Sequence, residues 1–149
     1  MGFPMNEIVT LLIAVGLGAA IGLERKLNDQ TAGIHTHALV ALGSCLFILL
    51  GIKLAAPGEM ARVASQVVMG VGFLGAAVIM RDGIRVRGLN TAVTVWCSSA
   101  IGAIAGAGYY LLACEGAVVI VVANFILHVV EHRLGWFPAV PPDNDKAIK

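Results

Sequence analysis

Charged side chains are scarce in this chain: Asp, Glu, Lys and Arg make up 13% of its 149 residues, against 58% hydrophobic. With a mean hydropathy of +0.88, too little polar surface is left to clothe a soluble domain of this size. The net charge is +1, so no basic or acidic field marks a nucleic-acid partner. Cys45, Cys97 and Cys114 all lie in apolar runs, with neither metal-site nor disulfide spacing, and read as small buried thiols. "MGFPMNE" holds no Lys or Arg, so the basic n-region of a cleaved signal peptide is missing and the first apolar run is expected to stay as a membrane span. No Ser-His-Asp arrangement and no phosphate loop is present. "HVVEH" (His128 to His132) spells a zinc-protease order, but it ends an apolar run with no third ligand downstream, and interfacial histidines explain it better. The expectation is a protein that is not an enzyme, with no metal and no cofactor.

What is abundant is long apolar sequence. Five runs stand out: Met5 to Leu23, His37 to Ala56, Val63 to Met80, Leu89 to Gly106 and Tyr109 to Val130. At 1.5 Å per residue, each crosses a hydrocarbon core of about 30 Å as a helix that satisfies its own backbone groups. The expected fold is all-α, an integral membrane bundle of five transmembrane helices in residues 1–134, followed by a short flexible tail, 135–149. The connection "AGAGYY" is short enough to force helices four and five into an antiparallel hairpin. Arg25, Lys26, Arg81, Arg85, Arg87, Arg133, Lys146 and Lys149 fall on one side of such a bundle, and only Lys53 and Arg62 on the other. This bias puts the N-terminus outside and the C-terminus in the cytoplasm, with Trp136 and Phe137 at the cytoplasmic interface.

The first two hairpins echo each other. "GAAI" (Gly18 to Ile21) leads to Glu24-Arg25 and "GIHT", while "GAAV" (Gly75 to Val78) leads to Arg81-Asp82 and "GLNT". Both copies cross in the same direction, so helices 1–2 and 3–4 are candidates for a parallel internal repeat.

Hydrophobicity cannot drive helices together in lipid, whereas small residues one turn apart let backbones approach. Gly18 and Gly22, Gly70, Gly72 and Gly75, and Gly102 and Gly106 are the candidate packing positions; Gly72 shares a four-residue register with Ala64 and Ala76. In the fourth span Asn90, Thr94 and Ser98 run into Gly102 and Gly106 at the same spacing. That stripe either meets polar groups on neighbouring helices or lines a wet path. Gln66 in the third span also needs partners for its amide. Thr36 and Thr91 stand where helices two and four should begin and are expected to cap them. Glu24 then lies among those helix ends and Arg25, Arg81, Asp82 and Arg87, either in a rim of ion pairs or in a small binding site. Glu115, inside the fifth span, is expected to be paired, neutralised or functional.

The blocks "GAAIGLERK", "AGIHTHALVALGS", "ARVASQVVMGVGFLGAAVIMR" and "VRGLNTAVTVWCSSAIGAIAGAG" together resemble the MgtC/SapB family of bacterial inner-membrane proteins, from about Met5 to Leu134. Family motifs fall on Gly22, Glu24 and Arg25; on Thr36 and His37; on Ala64, Gln66, Val67 and Val68; on Gly70, Gly72, Phe73 and Gly75; and on Gly88, Leu89, Thr91, Ala92 and Trp96. His35 stands where the family usually has arginine, Asn90 where it has threonine, and Ala77 where a further glycine is common. The resemblance implies the short SapB-like form, without the C-terminal cytoplasmic domain. It also implies adaptation to magnesium limitation or to acid and host stress, through other membrane proteins such as the proton-translocating ATP synthase.

The leading expectation is a regulatory or interaction protein of the bacterial inner membrane that self-associates or grips another membrane protein through its glycine faces. The alternative is a transporter or channel for Mg2+, H+ or K+ that uses the polar stripe, with Glu24 or Glu115 as a charged station.

Overall fold

The computed structural model describes residues 7–28, 30, 32–54, 58–82 and 85–134; the tail expected over 135–149, with Trp136 and Phe137, lies outside them. The elements in chain order are α1 (Glu7–Leu27), α2 (Ile34–Leu54), α3 (Met60–Val78), β1 (Met80–Asp82), β2 (Arg85–Arg87), α4 (Leu89–Gly106) and α5 (Tyr110–Leu134). All five helices are long and apolar enough to cross a membrane. Among the described residues the protein is all-α apart from one small hairpin.

α1 runs one turn past its apolar segment and carries Arg25 and Lys26 in its last turn, where cations favour the negative end of the helix dipole. α3 stops at Val78, and β1 pairs antiparallel with β2, Met80 opposite Arg87 and Asp82 opposite Arg85, an element the apolar pattern did not announce. Gly88 ends the hairpin with φ +83°, and a Cβ there would run into the Val78 carbonyl oxygen. Only glycine combines that backbone with that approach. α4 and α5 are joined through Ala107, Gly108 and Tyr109, the tight antiparallel hairpin expected, with Gly108 at φ +86°.

α4 is the central helix. More than half of its span is buried (56%), against 11% for α3 and for α5. It touches every other helix, and α2 packs on α1, α3 and α4. Among α1 to α4, exchanging α1–α2 with α3–α4 maps the contacts onto themselves: α1 on α4 corresponds to α3 on α2, and α5 stands outside the repeat. The echo between the two halves has a counterpart in space, because Gly18 faces His37 and Gly75 faces Ala92, and these are equivalent positions when the two motifs are aligned. The halves differ in closeness. An ideal Cβ on Gly18 would lie 2.6 Å from the His37 carbonyl oxygen, and one on Gly75 would lie 3.7 Å from Ala92.

Two apolar clusters fill the bundle. One gathers Ala14, Ile21, Cys45, Ile101, Ala105, Ala113 and Ala117 from four helices, and the smaller one joins Val71 of α3 to Val95 of α4. The residues are small, as expected where close backbone approach supplies the attraction. Large apolar side chains such as Leu12, Phe47, Phe73, Leu111 and Phe125 point outward. In water that surface would be a liability; in a bilayer it meets lipid.

Candidate functional site: the α2–α4 seam and its polar end

Along α4, Thr91, Thr94, Ser98 and Gly102 are buried, in steps of three or four residues that keep them on one face. Asn90 is exposed, a correction to the expected stripe. At 3.6 residues per turn, a strict four-residue spacing drifts about 40° per step, so Asn90 leaves the face and Thr91 takes the inner place.

Two capping expectations also need correction. α2 begins at Ile34 and α4 at Leu89, so Thr36 and Thr91 lie inside the first turns rather than ahead of them. Thr36 is exposed and Thr91 is buried, while Gly88 occupies the N-cap of α4 with no side-chain cap.

α2 answers the α4 face with His37 and Ser44. His37 Nδ1 lies 2.9 Å from Ser98 Oγ, and Ser98 Oγ donates to the Thr94 carbonyl at 3.1 Å. Ser98 Oγ thus joins the His37 ring to the backbone of α4, and the ring is fully buried. One turn or two further on, Ser44 Oγ donates to the Val40 carbonyl at 2.9 Å and meets Ser99 Oγ at 2.7 Å. Thr94 donates to the Asn90 carbonyl at 2.9 Å.

Beyond these hydroxyls the seam is closed by backbone. A Cβ on Gly102 would collide with the carbonyl of Ala41, and one on Gly106 would sit 2.8 Å from the Cys45 oxygen. Gly22 is as tight against α2, 2.7 Å from the Ile34 Cα. Gly18, Gly22, Gly102 and Gly106 therefore clamp α1, α2 and α4 together. Gly75 makes ordinary contact, and Gly70 and Gly72 face open space.

At the α1–α2 end lies a second polar group. The Glu24 carboxylate accepts from Asn28 Nδ2 at 2.6 Å and from Asn124 Nδ2 of α5 at 3.3 Å. It stands 4.0 Å from the Arg25 guanidinium, with both side chains about nine-tenths buried. Arg25 donates to Gln30 Oε1 at 3.0 Å, and Gln30 donates to the Asn28 carbonyl at 3.1 Å. Arg25 Nε is buried without a partner. Glu24 thus ties the end of α1 to the following loop and to α5.

Asn124 was not singled out from the sequence, although an amide inside "VVANFIL" is as demanding as Gln66. Thr10 of α1 and Tyr110 of α5, 2.7 Å apart, were also missed; one hydroxyl near each helix start gives no periodic signal. Gln66 and Glu115 are exposed at the bundle surface. His128 is exposed, and the side chains of Glu131 and His132 lie outside the described residues, as do those of Asp82 and Arg85. Among the described residues no three His, Cys, Asp or Glu side chains gather as a metal site.

The sequence profile of the MgtC family matches residues 11–133, which includes the whole of this seam. Protein MgtC of Salmonella typhimurium is 46% identical over 131 residues, 88% of this chain and 56% of the relative. Protein MgtC of Brucella abortus is 43% identical over 111 residues, 74% of this chain and 47% of the relative. An uncharacterized protein of Synechocystis is 38% identical over 122 residues, 82% and 52% of the two chains. The chain spans about half the length of these curated relatives, and no solved structure matches it. Five apolar helices and a profile match across most of the sequence lead to one conclusion: this multi-pass membrane protein belongs to the MgtC family.

Proposed function

We propose that this chain is a regulatory interaction protein of the bacterial inner membrane, oriented with its N-terminus outside and its C-terminus in the cytoplasm. It serves adaptation to magnesium limitation or related stress by gripping helices of a second copy or of another membrane protein. The observation that carries this reading is the contrast between its glycines. Those of the α1–α2–α4 seam are consumed by backbone contact, whereas Gly72 stands open on a flank of α3 beside the equally exposed Ala76. In lipid, a bare flank of small residues is where another helix can approach most closely.

The seam itself supports an ion path poorly. Its hydroxyls are bonded to each other or to carbonyls, and Gly102 and Gly106 pack on the α2 backbone and leave no width for a hydrated ion. The test pairs two measurements on protein in proteoliposomes: self-association by energy transfer between labelled copies, and flux of magnesium, potassium and protons. Gly72→Leu is expected to weaken association while flux stays at the background of empty liposomes. Unchanged association in this variant, or flux abolished by Ser98→Leu in a folded protein, would overturn the reading.

A further inference from the structure

α2 and α3 touch near their shared turn, where a Cβ on Gly51 would lie 2.8 Å from the Val63 side chain. Further along they part. Gly43 and Gly70 each face space with nothing within 4 Å, and between the helices lies a groove of about 550 Å³ walled by residues such as Leu39, Phe47, Val67 and Leu74. Past Phe47 and Val63 it continues into a second hollow edged by Glu59 and Arg62. Ser44 at its wall is already bonded to Val40 and Ser99.

Such a gap between two membrane spans is filled by something, because an empty one deprives its lining of contact on one side. A single acyl chain, much slimmer than a helix of about 10 Å, can lie along such a groove. From Leu39 to Leu54 the α2 wall is about 22 Å long, enough for the chain of one leaflet, about 15 Å.

α3 adds polar groups in a particular order. Glu59, Arg62, Gln66 and Gly70 follow one another along the groove side of the helix, a turn apart. Arg62 Nε and Nη2 both meet Glu59 Oε2 at 2.5 Å, which leaves Nη1 to donate elsewhere and Glu59 Oε1 to accept. The exposed Gln66 amide has no hydrogen bond among the described residues. Carboxylate, guanidinium, amide and bare glycine match, in sequence, an ammonium, a phosphate, an ester carbonyl and a hydrocarbon chain.

We propose that the α2–α3 groove binds one zwitterionic phospholipid with a primary ammonium headgroup, of the phosphatidylethanolamine class. Glu59 takes the ammonium, Arg62 the phosphate and Gln66 the glycerol ester, and the acyl chain lies over Gly43 and Gly70. This site is on a different flank of α3 from Gly72 and does not depend on what that flank grips.

The experiment is native mass spectrometry, with lipid quantification, of protein purified in mild detergent from membranes containing both phosphatidylethanolamine and phosphatidylglycerol. Wild type is expected to retain one phosphatidylethanolamine per chain, favoured over phosphatidylglycerol by about tenfold relative to the membrane. Gly70→Leu places its side chain in open space, so the fold persists while bound lipid falls by about tenfold. Glu59→Gln keeps a lipid but loses the headgroup preference, because the two lipid classes share the phosphate that Arg62 takes and differ in the ammonium. Retention in Gly70→Leu equal to wild type, lipid classes held in membrane proportion, or Gly70→Cys crosslinking to a second copy would each overturn the proposal.

Discussion

Replacing Gly102 by alanine adds one methyl group at the tightest point of the α2–α4 seam, and its consequence can be worked from the geometry. The new Cβ would collide with the Ala41 carbonyl oxygen and start 2.6 Å from the Ala41 Cα, where ordinary contact begins at 3.4 Å, so the helices must part by at least about 0.8 Å. That displacement takes His37–Ser98 from 2.9 Å to about 3.7 Å or more and Ser44–Ser99 from 2.7 Å to about 3.5 Å or more, at or beyond the limit of a hydrogen bond. Interhelical hydrogen bonds in membranes contribute about 0.6 kcal/mol each, and overpacking costs about 1–3 kcal/mol. Against this stands the better helix propensity of alanine, about 1 kcal/mol. The net expectation for Gly102→Ala is a loss of about 1–3 kcal/mol. Gly72→Ala is the matched control: nothing lies within 4 Å of its new methyl group, so it should be neutral or stabilising by up to about 1 kcal/mol. Reversible unfolding of both variants by sodium dodecyl sulfate titration in mixed micelles measures the difference. Equal stability of Gly102→Ala and wild type would refute the packing argument.

Removing Asn124 by substitution with leucine should destabilise the bundle by about 1 kcal/mol and leave the Glu24 carboxylate with one fewer donor. The same titration on Glu24→Gln, Asn124→Leu and the double variant should give a coupling of at least about 0.5 kcal/mol, and strict additivity would show that the contact carries no energy. Thr10→Val and Tyr110→Phe each delete one side of the hydroxyl pair joining α1 to α5, so each should cost about 0.6 kcal/mol and the pair together little more than either alone. Two independent full losses in the double variant would argue against the bond.

Several features of the site were legible because they rest on local chemistry. Glu24 and Arg25 are conspicuous as charges at the edge of an apolar run, and Ser98 and Thr94 as hydroxyls within one. Gly18, Gly22, Gly102 and Gly106 could be picked out by their one-turn spacing. The same spacing marked Gly72, whose added Cβ would meet nothing within 4 Å among the described residues, because spacing reports that a helix can be approached and not which helices are adjacent. The hairpin after α3 escaped the sequence reading because its strands of three residues are too short for alternation to register.

The sequence by itself determined that this chain lives in a membrane, how many times it crosses and where the crossings turn. Those properties follow from the free energy of placing each segment in hydrocarbon, which depends on that segment's own composition and length. Only the tertiary structure decided that His37 faces Ser98 rather than Asn90, that Asn124 completes Glu24 across a hundred residues, and that a groove opens at Gly70 while the seam closes at Gly102. These depend on how helices rotate and tilt against one another, and in lipid that choice is made by small differences in contact and hydrogen bonding summed over pairs of helices, which no single segment encodes.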